Sequence, residues 1–267
     1  MTRLFDLSSS DELLPPLEVL RSLHERAKKQ SSQWVVIGAA ARDLTIHAPL
    51  GISPHRATKD IDIAVAIPEG STFNAFTDGL IPVRGILHRF WVENVQVDIV
   101  PFGAVERNGH VTFDDDRVLN VIGLAEAAAA PDLAVIPGHW EIPVASLEAQ
   151  SILKIIAWND RRHDSTKDAL DLFTILSSGS EGCYADETWG DDEALEACEH
   201  DIWLAGAFRV GRRAAGLFNH DRAPAVTGVL RNPDRVDQLT RNMQHRHAGM
   251  LLDSFTRGFE VGQRKLG

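Results

Sequence analysis

The stretch Asp60-Ile61-Asp62-Ile63-Ala64-Val65 begins with alternating acidic and apolar residues and is followed shortly by Pro68. An alternation with a period of two predicts a β-strand, and it places Asp60 and Asp62 on the same side of that strand. Two carboxylates held this close repel one another, and a hard divalent cation such as Mg²⁺ would remove the repulsion. The alternative is a solvated strand edge whose acidic residues bind nothing.

Two further segments would bring polar groups to the same place. Val95-Gln96-Val97-Asp98-Ile99 has the pattern of a second strand, and Asp98 would supply a third carboxylate if the two strands are neighbours. Trp34–Ile37 predicts a buried strand that ends at Gly38-Ala39, where a helix is expected to begin. Glycine permits close approach of a backbone, and a helix N-terminus favours phosphate. The chain lacks the glycine-rich fingerprints of dinucleotide-binding and P-loop proteins.

The second half of the chain has helical periodicity and carries two candidate lysines. A helix is predicted over Ser146–Trp158, with Lys154 on its otherwise apolar face, and a second helix is predicted from Asp164 or Ser165 to Leu176, with Lys167 inside it. A lysine beside a triphosphate would neutralise its charge. The alternatives are that Lys154 extends to solvent along an apolar surface and that Lys167 forms an ordinary surface ion pair.

These patterns predict an α+β fold with two domains. A mixed sheet with flanking helices is expected over residues 1–143, and a mainly helical domain is expected over residues 144–267. Further predicted helices cover Leu13–Lys29, Ala39–Leu44, Phe73–Leu80, Glu193–Leu217 and Asp234–Arg264, the last with breaks near Gly249 and Gly258.

Composition narrows the classes of function. The 267 residues include 27 Lys and Arg and 38 Asp and Glu, for a net charge of −11, which argues against a general nucleic-acid coat. The two cysteines cannot form a disulfide framework. With no apolar run of 18 residues and no signal-peptide pattern at the start, we expect a cytoplasmic protein that does not enter a membrane.

The order Gly38-Ala39, Thr58-Lys59-Asp60-Ile61-Asp62 and Val97-Asp98-Ile99 resembles the DNA polymerase β-type nucleotidyltransferase superfamily. The segments Leu153-Lys154, Arg161-Arg162 and Lys167–Leu172 narrow the resemblance to the AbiEii-like nucleotidyltransferase toxin family. The similarity extends from Trp34 to Leu176, about half of the chain. The chain departs from the family pattern at Ala39, where serine or glycine is usual, and in its long interval between Gly38 and Asp60.

The resemblance implies a nucleotidyltransferase-type sheet followed by a helical domain that closes over the nucleotide cleft. It implies Asp60, Asp62 and Asp98 as catalytic residues and ligands of Mg²⁺ or Mn²⁺, with Asp98 helping to deprotonate the acceptor hydroxyl. It places Gly38 and Ala39 against the triphosphate of an NTP, and Lys154 or Lys167 against its phosphate or base. The acceptor would be tRNA, and a cognate antitoxin would be the protein partner.

Other functions are compatible with the same residues. The acceptor could be a small hydroxyl compound, such as an antibiotic, or a protein side chain. A catalytically weak nucleotide-binding module is a further alternative, because Ala39 removes a hydroxyl contact to phosphate.

Overall fold

The computed structural model describes residues 2–10, 14–53, 60–113, 115–218 and 222–266. The chain forms two compact units, Met1–Ser146 and Leu147–Gly267. The first unit contains all the described strands, and the described elements of the second unit are helices. The structure is therefore a mixed α/β protein, and the predicted boundary after residue 143 falls within its last described strand.

The sheet of the first unit is mixed. Its order is β1-β9-β10-β2-β3-β6-β5-β4, in which β1–β9, β10–β2 and β3–β6 are the parallel pairs, and β7 and β8 form a separate hairpin. The strands are β1 (Leu4–Asp6), β2 (Trp34–Ile37), β3 (Asp60–Ile67), β4 (Ile81–Pro82), β5 (Arg89–Val92), β6 (Val95–Gly103), β7 (His110–Thr112), β8 (Val118–Asn120), β9 (Asp132–Ile136) and β10 (Trp140–Val144).

The two strands that carry the predicted acidic residues, β3 and β6, pair in parallel over the whole length of β3. Ile61 and Ile63 on β3 and Val97 and Ile99 on β6 are fully or almost fully buried. Since side chains alternate along a strand, their burial places the intervening polar residues on the opposite face of the sheet. The apolar core therefore fixes which face of the sheet carries the acidic residues.

Helices of the first unit begin or end at different residues from those predicted. They are α1 (Leu17–Lys29), α2 (Gly38–Arg42), a π-helical turn (Asp43–His47), α3 (Ala48–Leu50), α4 (Phe73–Thr77) and α5 (Leu124–Ala129). Pro16 is the N-cap of α1, so the helix begins after both prolines rather than at Leu13, which lies outside the described residues. The helical run that follows β2 continues to Leu50 instead of ending at Leu44.

The second unit is built from helices α6 (Leu147–Arg161), α7 (Lys167–Ser178), α8 (Gly182–Trp189), α9 (Asp192–Ala197), α10 (Ile202–Ala215), α11 (Pro224–Leu230), α12 (Pro233–Asn242) and α13 (Ala248–Leu266). Two details of the prediction were wrong. The N-cap of α7 is Thr166, whose side chain makes no capping hydrogen bond, and Gly258 lies inside α13 rather than at a break. Within the described residues, no helix is long and apolar enough to cross a membrane.

Gly258 lies where the backbones of α10 and α13 pack close together, which explains why a glycine occurs inside this helix. A Cβ atom at Gly211 would overlap the backbone carbonyl of Phe255, and one at Gly258 would overlap that of Phe208. Phe255 and Phe208 are themselves buried. Glycine is therefore required at the crossing of these helices for lack of space rather than for backbone conformation.

Replacing Gly211 or Gly258 by alanine should destabilise the second unit. The new methyl group has no space, so we expect each substitution to lower the free energy of unfolding by about 1–3 kcal/mol. Urea denaturation followed by circular dichroism measures the change.

Gly228→Ala is the matched control, because Gly228 is helical and a Cβ there would meet no atom within 4 Å. Alanine favours a helix over glycine, so this variant should be as stable as the wild type or up to about 1 kcal/mol more stable. Equal stability of Gly211→Ala and Gly228→Ala would contradict the close approach of the two helices.

Candidate functional site

A row of side chains crosses four neighbouring strands on the polar face of the sheet. Ile37 on β2 is the register partner of Asp62 on β3, Asp62 is the partner of Asp98 on β6, and Asp98 is the partner of Arg89 on β5. Adjacent strands are about 4.8 Å apart, so the Asp62 and Asp98 carboxylates come from neighbouring backbone positions. The structure thus brings together two of the three predicted catalytic carboxylates.

The turn after β2 lies directly against one of these carboxylates. Gly38 has a φ of +68°, which is in the left-handed region, and a Cβ atom added to it would overlap the carboxylate of Asp62. Ala39 follows as the second residue of α2 and is half-buried. Glycine is required here for two reasons, backbone conformation and the space that Asp62 occupies.

The second carboxylate is held by an arginine. The Arg89 guanidinium donates from Nε to Oδ1 of Asp98 at 2.5 Å and from Nη2 to Oδ2 at 2.6 Å, and its Nη1 lies 3.4 Å from Oε1 of Gln96. Such a two-pronged, charge-assisted pair is the strong form of an Arg–carboxylate interaction. Asp98 is 8% exposed, so the pair compensates for the burial of its charge.

His88 lies near the same carboxylate. Its Nε2 is 3.9 Å from Oδ2 of Asp98. Burial lowers the pKa of His88 below its ordinary value of 6.5, the Asp98 carboxylate opposes that shift, and the charges of Arg89 and Arg117 add to it. His88 therefore favours the neutral form, which can share hydrogen bonds as donor or acceptor.

The third predicted carboxylate, Asp60, begins β3 opposite Gln96, and its side chain lies outside the described part of the structure. The motif residues Thr58 and Lys59 also lie outside the described ranges. Asp60 and Asp62 are two residues apart on one strand, so their register positions share a face.

The donor set at this face fits a divalent cation. Carboxylate oxygens are the ligands that Mg²⁺ prefers. Each carboxylate oxygen has two lone pairs, and Arg89 engages one on each oxygen of Asp98, so the others can accept a metal bond. Among the side chains that the structure describes, no group of three or more His, Cys, Asp or Glu residues is arranged to hold a metal. A three-carboxylate site would therefore need Asp60.

The two lysines predicted to touch nucleotide lie in the second unit. Lys154 on α6 is 15% exposed and pairs with two carboxylates of α7, at 3.2 Å from Oδ1 of Asp168 and 2.7 Å from Oδ2 of Asp171. Arg161 also pairs with Asp168, at 2.9 Å. Lys167 is the exposed first residue of α7. Lys154 thus holds two helices together, whereas Lys167 is open to solvent.

Sequence reasoning missed the residues that complete the polar face. Arg89 and Trp91 on β5 are the register partners of Asp98 and Gln96, so they lie on the face that carries the carboxylates. The sequence does carry a signal, because Asn94 between two apolar runs predicts a turn. In the structure Glu93 and Asn94 both have positive φ and form the two-residue turn typical of a hairpin. That turn pairs Val92 with Val95 and therefore Arg89 with Asp98.

No protein-family model matches this chain, and no curated protein is significantly similar to it in sequence.

Replacing Gly38 by alanine should lower the stability of the protein more than backbone strain alone would. Gly51 provides the matched control, because it also has a left-handed φ, of +65°, but a Cβ there would meet no atom within 4 Å. We expect Gly51→Ala to cost about 1 kcal/mol of stability through backbone strain, and Gly38→Ala to cost clearly more because the methyl group displaces Asp62. Urea unfolding of both variants gives the difference, and equal losses would refute the close contact between Gly38 and Asp62.

Lowering the pH should destabilise the first unit through His88. Because the pKa of His88 is lowered in the folded protein, the unfolded chain binds more protons, and stability falls as the pH drops through the ordinary value of 6.5. We expect His88→Gln to reduce the loss of unfolding free energy between pH 7.5 and pH 5.5. His110→Gln, at an exposed position in the same unit, should leave that loss unchanged. A histidine NMR titration that found a raised pKa for His88 would contradict the prediction.

Proposed function

We propose that this protein is a magnesium-dependent nucleotidyltransferase that moves a nucleoside monophosphate from an NTP to an acceptor hydroxyl. The observation that carries the proposal is the position of Asp62, which lies beside Asp98 through the register of β3 and β6 and against the turn at Gly38 through the pairing of β3 with β2. Neighbouring carboxylates at the end of a strand–glycine–helix connection are suited to hold a cation and a phosphate together.

The proposed reaction assigns each residue a role. Asp60, Asp62 and Asp98 would hold the cation, and the backbone of Gly38 and Ala39 would lie against the triphosphate. Magnesium, when bound, would neutralise phosphate charge and lower the pKa of the acceptor hydroxyl.

The bond changes are those of a single displacement at phosphorus. The acceptor oxygen forms a bond to the α-phosphorus, the bond from that phosphorus to pyrophosphate breaks, and the hydroxyl proton leaves toward Asp98. Arg89 fixes the orientation of the Asp98 carboxylate during this step, because it engages both oxygens.

The acceptor is proposed from the sequence resemblance. AbiEii-like toxins make tRNA the first acceptor to test and a cognate antitoxin the first protein partner to seek. Small hydroxyl compounds and protein side chains are the alternative acceptors. Lys154 could contribute to nucleotide binding only while sharing its ammonium group with Asp168 and Asp171. Lys167 is exposed at the start of α7.

A second candidate function is a nucleotide-binding module without transfer. The two-pronged pair of Arg89 with Asp98 favours it, because the guanidinium already engages both oxygens of the carboxylate that would accept the proton. This candidate predicts nucleotide binding that depends on Asp62 and no label transfer to any acceptor.

Label transfer from NTP to RNA is the decisive test. Each α-labelled NTP is incubated with the 267-residue chain, Mg²⁺ or Mn²⁺ and total cellular RNA, and the products are resolved on a denaturing gel. We expect label on RNA of tRNA size, and we expect Asp62→Asn and Asp98→Asn to reduce transfer at least about 100-fold, because charge stabilisation in the transition state is lost.

Asp78→Asn is the matched control, because Asp78 is exposed in the same unit and the same charge is removed. It should transfer label at the wild-type rate. Full activity of Asp62→Asn would refute the assignment of the site. Label transfer to protein or to an aminoglycoside-like alcohol in place of RNA would support nucleotidyl transfer but would replace tRNA as the proposed acceptor.

A further inference from the structure

Three charged side chains stand in one row of the sheet, in the order negative, negative, positive. Asp62, Asp98 and Arg89 are successive register partners on β3, β6 and β5. Like charges directly opposite one another on neighbouring strands are destabilising. The row therefore contains a repulsion between two carboxylates and a positive charge placed beside one of them.

The positive charge is fixed rather than loosely placed. The Arg89 side chain is 23% exposed, and its guanidinium makes two bonds to Asp98, at 2.5 and 2.6 Å, with a third contact to Gln96 at 3.4 Å. Asp98 is almost fully buried, and a buried carboxylate without a partner of opposite charge is strongly destabilising. Arg89 thus places a fixed opposite charge against Asp98, on the side away from β3.

We propose that Arg89 is an internal countercharge: it positions Asp98 and competes with a divalent cation for the carboxylates of Asp62 and Asp98. The proposal rests on the proposed function in one respect, because it takes these carboxylates to be cation ligands. It adds that the affinity of the site for a cation is set by an arginine that is not itself a ligand.

Removing the arginine should therefore tighten cation binding. A unit positive charge a few ångströms from a partly buried cation site opposes binding enough to change the affinity about tenfold or more. Arg89→Gln keeps a hydrogen-bond donor near Asp98 and removes the charge, so we expect its Kd for Mn²⁺ to fall at least about tenfold. Arg89→Lys keeps the charge, so its Kd should stay within about threefold of the wild type.

The experiment titrates the 267-residue chain and its variants with Mn²⁺ and follows free Mn²⁺ by electron paramagnetic resonance, without nucleotide or acceptor. Arg107→Gln is the matched control, because it removes the same charge at an exposed position beyond the end of β6. Asp98 lies five residue steps before that end, which corresponds to about 16 Å along the strand. Asp62→Asn reports whether the bound Mn²⁺ uses the proposed ligands.

The outcomes separate this inference from the proposed function. Tighter binding to Arg89→Gln alone, lost on adding Asp62→Asn, would establish the countercharge. Equal binding by the wild type and Arg89→Gln, still dependent on Asp62, would overturn the countercharge and leave the proposed function standing. If neither the wild type nor Arg89→Gln bound Mn²⁺, both the countercharge and the proposed function would be refuted. An equal change in Arg107→Gln would overturn the countercharge, because it would show an effect of net charge alone.

A second measurement is made on the wild-type protein, and a variant serves only to assign the signal. The Arg89 Nε–H donates to Asp98 at 2.5 Å, so its proton should be protected from exchange with solvent. The exchange is followed in the NMR signal of the nitrogen-15-labelled Nε–H group. Competition predicts that adding Mg²⁺ accelerates this exchange or shifts the signal, which is assigned by its loss in Arg89→Lys. A signal that stays unchanged while Mg²⁺ binds at Asp62 would overturn the competition.

Discussion

The parallel pairing of β3 with β6 is the constraint on which the candidate site depends. Side chains alternate along a strand, so a slip of one residue would turn every side chain of β3 to the other face. Such a slip would bury Asp62 among the apolar residues and expose Ile61 and Ile63, which are now almost inaccessible to solvent. The burial of these isoleucines therefore holds the carboxylates together, even though their charges repel.

The repulsion between Asp62 and Asp98 is offset by groups on both sides of the pair. Arg89 supplies opposite charge from β5, and Gly38 leaves room for the Asp62 carboxylate at the end of β2. Four strands thus contribute to a cluster that none of them could form alone.

Local sequence patterns predicted which strands and helices carry the site. They predicted the first and last residues of those elements less well. The alternation around Asp62 indicated a strand, and the apolar run ending at Gly38 indicated a strand followed by a helix. The helical run after Gly38 extends farther than expected because it passes through a π-helical turn, which no local pattern marks. Gly258 was misread as a helix break, because its role is to admit the backbone of Phe208.

The sequence by itself determined which residues share a strand face, because the period of a β-strand is a local property of the chain. It therefore placed Asp60 with Asp62 and identified Asp98 as a candidate third carboxylate. Only the tertiary structure decided that Asp98 is the direct neighbour of Asp62, that Arg89 holds it, and that Lys154 is paired with Asp168 and Asp171. These facts depend on strand order and on contacts between helices, which are set by burial of the whole core and not by any single segment.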